Sequence, residues 1–225
     1  MVLFRCFLFY IVLCFILFGR VEAAVKDIFP KIDAQTVVNL GQGCEFRLSV
    51  PSSASFRVSS GTEGRFGSAM IGVSDLRFFD GIWLMGLSCY HNDDENVRPG
   101  HNRMVRLDQQ KKLWVKDIIA RQSEAITILD QQEREAFREM LDRVEVLDIK
   151  SVNAHGWGVL YDDYFGDDKL KKRFLLFCLF YREIALCGST EAGFLHVLDN
   201  NRSANMTPHA LKLLQSIEFI GSKKE

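Results

Sequence analysis

The hydrophobic pattern is sharpest between Arg173 and Cys187, where Phe-Leu-Leu-Phe-Cys-Leu-Phe-Tyr is followed by Arg-Glu and then Ile-Ala-Leu-Cys. Two apolar arms around a charged pair read as a β-hairpin. Arms this apolar belong in the middle of a sheet covered on both faces. A turn at Arg182 and Glu183 sets Phe180 opposite Ala185, Leu179 opposite Leu186 and Cys178 opposite Cys187. Two-residue hairpin turns favour Asn-Gly or a glycine, so Arg-Glu predicts a four-residue loop over Tyr181 to Ile184 that keeps the same pairing.

Elsewhere, Cys44 to Val50 alternates with Phe46, Leu48 and Val50 on one side, and Pro51 stops it. Residues 55–59 and 67–73 supply one strand each around a Gly-rich turn region, and Gly81 to His91 is apolar enough for burial on both faces. Val144 to Val152 alternates but changes phase between Val146 and Leu147, which predicts a bulge. His155 to Tyr161 is a further strand, whereas residues 24–43, with Phe29-Pro30 and Gly41-Gln-Gly43, read as a short helical or irregular lead-in. Leu107, Trp114, Val115, Ile118, Ile119, Ile126 and Leu129 recur at three and four residue steps and predict an amphipathic helix over 107–129 with Asp108 as N-cap. Glu133 to Leu141 reads as a second, charged helical piece. Thr207-Pro208 opens a closing helix as cap and first position, with Leu211, Leu214 and Ile217 on its buried side. The sum is an α+β domain: a mainly antiparallel sheet with the 107–129 and 207–219 helices on its two faces, an α/β/α sandwich.

The N-terminus changes the compartment. Arg5, an apolar run from Cys6 to Phe18 and small residues at Val21 and Ala23 predict a signal peptide over 1–23, cut after Ala23, with 24–225 as a single domain. Arg20 arrives too early for the ~20 apolar residues that span a bilayer, so no stable membrane insertion is expected after cleavage. The chain has 28 basic and 29 acidic residues, and the leader takes two of the first and one of the second, leaving 26 and 28. A near-neutral chain lacks the basic surface that general nucleic-acid binding requires.

Four cysteines remain beyond the leader: Cys44, Cys89, Cys178 and Cys187. An even number in an exported chain predicts two disulfides. The hairpin register selects Cys178 with Cys187 and leaves Cys44 with Cys89.

Candidate chemistry is sparse. Cys44 after Gln-Gly and His155 in Asn-Ala-His-Gly form a thiol-hydrolase pairing, a thiolate activated by an imidazole. Cys44 has an oxidative partner, however, and this is the third functional reading. The histidines at 91, 101, 155, 196 and 209 have no two-His helical spacing, and no Cys-x-x-Cys is present. Asp162, Asp163, Asp167 and Asp168 are hard oxygen ligands but lack the order of a calcium loop. No catalytic, metal or cofactor residue is therefore predicted.

Trp157 to Ile220 carries the apolar hairpin with its cysteine, then Leu-Cys-Gly188, and ends Thr-Pro-His-Ala-Leu-Lys-Leu-Leu-Gln-Ser-Ile-Glu-Phe219. This segment resembles small periplasmic immunity partners of type VI secretion effectors. Its closing helix and short Ile-x-Phe strand are similar to the PsbP-like α/β/α sandwich. The resemblance implies a non-catalytic periplasmic protein that binds a cognate effector toxin and covers its active site. From charge and predicted exposure, the contacts are the acidic loops at 91–96, with Asp93, Asp94 and Glu95, and at 162–168, with Asp162, Asp163, Asp167 and Asp168. The competing reading is a periplasmic accessory or assembly protein that binds a cell-envelope component.

Overall fold

The computed structural model describes residues 30–61, 65–74, 76, 82–94, 104–117 and 130–220. The signal segment at 1–23 and Glu95 lie outside them, as does the 118–129 part of the expected long helix. In chain order the elements are β1 (Ile32–Asn39), β2 (Glu45–Pro51), β3 (Ser55–Ser59), β4 (Ser68–Val73), β5 (Trp83–His91), β6 (Val105–Asp108) and β7 (Leu113–Lys116). There follow α1 (Gln131–Arg143), β8 (Glu145–Lys150), β9 (His155–Asp162), β10 (Lys172–Tyr181) and β11 (Ile184–Phe194). The chain closes through α2 (Leu195–Asn200), a 3-10 turn (Arg202–Ala204), α3 (Thr207–Gln215) and β12 (Glu218–Phe219). It is mainly antiparallel β with a few helices.

A seven-stranded sheet, ordered β3-β4-β5-β11-β10-β9-β8, has the β10–β11 hairpin at its centre. Cys178 pairs with Cys187, Leu179 with Leu186 and Phe180 with Ala185, as the sequence pattern predicts. Tyr181 also pairs with Ile184, so the turn is the two-residue one. Arg182 takes the left-handed φ of 54° that such a turn demands of one residue. The neighbouring strand supports it: the Asn92 amide donates to the Arg182 carbonyl at 2.6 Å, and the Asn92 backbone N–H to Glu183 O at 2.9 Å.

Residues opposite one another in the sheet share a face, which sorts the core into two layers. The inner layer joins Trp83, Met85, Leu87, Phe177 and Leu179 to Phe46, Leu48 and Val50 of a three-stranded sheet, ordered β1-β2-β12. Leu213, Leu214 and Ile217 from α3 and its exit fill the same layer. Each fully buried Leu or Phe contributes roughly 1.5–3 kcal/mol. Two ties fix the closing segment: Ser216 Oγ accepts the Ser49 N–H at 2.9 Å, and the Asn153 amide bonds both backbone groups of Phe219. The outer layer is smaller. Phe137, Met140 and Leu141 of α1, with Val105 and Trp114 of the β6–β7 hairpin, cover Trp157, Val159, Cys178 and Ala185.

Several expectations change. The helix–sheet–helix arrangement gives way to a second sheet plus α3 on one side and α1 plus a β-hairpin on the other. Residues 105–116 are that hairpin, and Asp108 accepts from the amides of Gln110 and Lys111 in its turn rather than capping a helix. The capping chemistry is the same, since an aspartate two or three residues upstream suits either geometry. A true capping box sits at Asp130 and Glu133, where α1 starts. The lead-in contains a strand, because β1 pairs with β2 through Asn39 and Glu45. The Val146/Leu147 phase change is no bulge: β8 pairs regularly with β9. Val146 packs in the outer layer and Leu147 in the inner, so both faces of that strand carry apolar residues. The irregularities fall instead between Ile32 and Ala34 and opposite Arg173 and Phe174. In α3 Thr207 is the first helical residue and Met206 the cap position, so helix entry is one residue earlier than expected. Leu84 on β5 is 45 % exposed, so that strand is buried on one face only.

Both disulfides form: Cys44–Cys89 within the inner layer and Cys178–Cys187 across the central hairpin. The first closes a separation of 45 residues and the second one of 9, and chain entropy assigns them about 4 and about 2.6 kcal/mol. Replacing Cys44 and Cys89 together by Ala should therefore lower the urea-unfolding free energy more than the same change at Cys178 and Cys187, by about 1 kcal/mol or more. Equal losses would show that the unfolded chain is not the state these bonds restrict.

Candidate functional site

The two acidic segments lie at opposite ends of the sheet. Asn92, which opens the first, bonds the β10–β11 turn, whereas Asp163 bonds Lys172 at the start of β10. The ten residues of β10 separate them, about 30 Å at ~3.3 Å per residue. They cannot form one compact contact patch, and it is the β9–β10 loop that is built into a site.

Asp162 ends β9 and is 7 % exposed, contrary to its expected place on the surface. Its carboxylate is held by both arms of Arg173, with Nε–Oδ1 2.6 Å and Nη2–Oδ2 2.9 Å. That bond raises the Arg173 pKa above its ordinary value against partial burial, with Glu145 and Asp199 adding to it. Asp162 is thus the loop's anchor, and the contact role passes to its neighbours.

Beyond it the loop is tied at every step. The Asp163 N–H donates to Lys172 O at 2.8 Å, and Asp163 Oδ2 accepts from Lys172 N at 3.2 Å. Asp167 Oδ1 accepts from Lys169 N at 2.9 Å, and its carbonyl takes the amides of Leu170 and Lys171. Asp168 is fully exposed in its bond to Lys171, and that ammonium holds its carboxyl below the usual carboxylate range. This support is present above the unfolded pKa and is lost as pH falls through the lowered folded value. Gly166 sits at φ 94°, a conformation a side chain would strain. Tyr164 packs edge-on against Phe137 of α1 at 5.2 Å, and Leu195 N bonds Lys171 O, joining the loop to α2.

Firm attachment leaves two large apolar side chains in water: Phe165, 70 % exposed, and Leu170, 67 % exposed. Beside them a cleft of about 350 Å³ opens between α1, the loop and α2. Asp162, Asp163 and Asp168 line it together with Glu139, Arg143, Lys171, His196 and Asp199, whereas Asp167 does not. Among the described residues its walls carry carboxylates, cations, an imidazole and the Tyr164 phenol. The arrangement suits binding of a cationic or apolar group. Among the described residues no group of three or more His, Cys, Asp and Glu is placed to hold a metal ion.

At the other end, Asp93 is exposed and Asp94 half-buried. The thiol-hydrolase pairing is overturned, because Cys44 is fully buried and bonded to Cys89, with no thiolate to activate. His155 is instead bonded to Asp148 through Nε2 at 2.5 Å. The sequence reading missed Phe165, Leu170, Glu139 and Asp199. Two apolar residues inside an otherwise charged turn were the available signal for the first pair; nothing local marks the second, which arrive from helices distant in sequence.

No family model matches the chain, and no curated protein is similar to it in sequence. Among solved structures, a Bacteroides thetaiotaomicron protein overlaps 86 % of this chain at 11 % identity and a TM-score of 0.41, and the chain spans half of that protein's length. Cyanobacterial PsbP from Synechocystis overlaps 84 % of this chain and 95 % of its own at 10 % identity and a TM-score of 0.39. A Pseudomonas aeruginosa protein of unknown function overlaps 86 % of this chain and all of its own at 10 % identity and a TM-score of 0.31. Overlaps at these scores establish no family, and nothing about function is taken from them.

Replacing Asp162 by Ala should cost about 2 kcal/mol in urea unfolding, since it strands a half-buried guanidinium. The same change at Asp163, Asp167 or Asp168 should stay within about 0.5 kcal/mol. A cost for Asp162→Ala no larger than for Asp168→Ala would contradict its anchoring role.

Proposed function

We propose that the chain is an exported immunity protein that binds a secreted antibacterial toxin and covers its active site, without catalytic activity of its own. The observation that carries this reading is the β9–β10 loop, where Phe165 and Leu170 stand in water on a segment fixed at both ends. Exposed apolar anchors on a preordered loop lose little entropy on binding and are what interface hot spots are made of. The surrounding Asp163, Asp167 and Asp168 add charge that steers a basic partner and rejects an acidic one.

Supporting the compartment, the two disulfides belong to an oxidising environment outside the cytoplasm. No described helix is long and apolar enough to cross a membrane. The resemblance of Trp157 to Ile220 to periplasmic immunity partners is the ground for reading the partner as a toxin. The signal peptide and the periplasm as the specific destination belong to the same reading.

The test is growth. Expressed in the periplasm of a sensitive host, the open reading frame immediately upstream should arrest growth, and this chain should restore it. The Phe165→Ala, Leu170→Ala double variant should fold normally and restore growth at least about tenfold less well. Absence of protection by the native chain would sink the immunity reading. Full protection by the double variant would place the contact elsewhere.

A further inference from the structure

Among the described residues the outer layer does not extend over the whole sheet. The helix α1 and the β6–β7 hairpin cover β8 to β11, but β3, β4 and β5 carry no such cover among the described residues. Over them lies a cavity of about 660 Å³, with a second of about 280 Å³ sharing Met70, Gly86 and Ser189. Together they form one groove along the strands.

Its two ends differ in chemistry. Ser59, Ser68 and Ser88 lie opposite one another across three strands and share a face. None of their hydroxyls is hydrogen-bonded within the described chain. Arg57 stands one row away and is the only charged one among the described residues that line this cavity, while Arg65 lines an adjoining cavity that shares the three serines. Moving along β5, the lining turns apolar: Met70 is 42 %, Leu84 45 % and Ile82 55 % exposed. Ile82 and Leu84 lie over Gly72. From Ser88 to Ile82 is six residues of strand, about 20 Å. The one carboxylate among the described residues at the apolar end, Glu191, is bonded to Lys172.

We propose that this groove binds an anionic amphiphile: a carboxylate or phosphate head at Arg57 and the three serines, and an alkyl body over Met70, Gly86, Leu84 and Ile82. Arginine offers the forked donors such oxyanions take, and hydroxyls complete their coordination. Among the described residues no carboxylate lines the serine end to repel the head. Covering the strip of exposed apolar side chains gives the tail its driving force. The cavity volumes fall in the range of small-molecule sites. This site is separate from the loop at Phe165, and neither proposal depends on the other.

The floor supplies a clean variant. A Cβ on Gly86 would meet nothing nearer than Ser189 O at 3.9 Å, so a leucine there enters the groove without disturbing the sheet. The full chain is titrated by calorimetry and by amide NMR with sodium dodecanoate, with dodecyl phosphate and with dodecyltrimethylammonium, each below its micelle concentration. The expected result is one saturable site with shifts at Gly86, Ser88 and Ser189, and at least about tenfold weaker binding of the cation. Tighter dodecanoate assigns a free carboxylate, and tighter dodecyl phosphate a lipid-type headgroup. Gly86→Leu should abolish the site with Tm unchanged, while Arg57→Glu removes the preference for anions and Arg57→Lys retains it. Equal binding of the cation, shifts confined to 163–171, no saturable binding, or undiminished binding by Gly86→Leu would each overturn the assignment.

Discussion

The register of the central hairpin is the constraint on which the other contacts depend. With Cys178 opposite Cys187, alternate residues of β10 point to opposite layers: Phe177 and Leu179 inward, Leu176 and Cys178 outward. A slip of one residue would exchange these sets. The neighbours β9 and β5 take their registers from the same two strands, so Trp157 meets α1 and the β6–β7 hairpin while Met85 and Leu87 meet the second sheet. The disulfide locks this register where both flanking strands are already paired. The tight Arg182–Glu183 turn follows from it, held by Asn92 from the next strand rather than by its own residue types.

A sheet with two apolar faces needs two covers, and they are unequal. The inner face has a three-stranded sheet and α3 tied down by Ser216 and Asn153. On the outer face, among the described residues, α1 and a four-residue-stranded hairpin stop short of β3 to β5. Surfaces available for binding arise at the two places where cover ends: at the rim, where the β9–β10 loop emerges between α1 and α2, and on the bare strands. The loop is tied to β10 and α2 by its hydrogen bonds, and β3 to β5 are held by their pairing in the sheet.

Alternation showed the strand at Phe46, Leu48 and Val50 but not β1, and the hairpin register was legible from its apolar arms, which together with an even cysteine count set both pairings. Helical spacing misled at Leu107, Trp114 and Val115, because short amphipathic strands with a turn between them place apolar residues at intervals a helix also satisfies. The Val146 to Leu147 change looked like a bulge because a strand apolar on both faces has no single phase. The site was half visible. Acidic residues at 163, 167 and 168 stood out, yet the burial of Asp162 depends on Arg173 across the sheet, and Glu139 and Asp199 reach the cleft by tertiary packing alone.

In the proposed immunity role the β9–β10 loop is the surface that meets the toxin. Hydrogen exchange of the chain, alone and bound to the protein encoded immediately upstream, tests it most directly. Added protection is expected over 163–171 and 195–200, with the 91–94 end of the sheet unchanged. Protection at 91–94 with none at 163–171 would contradict it.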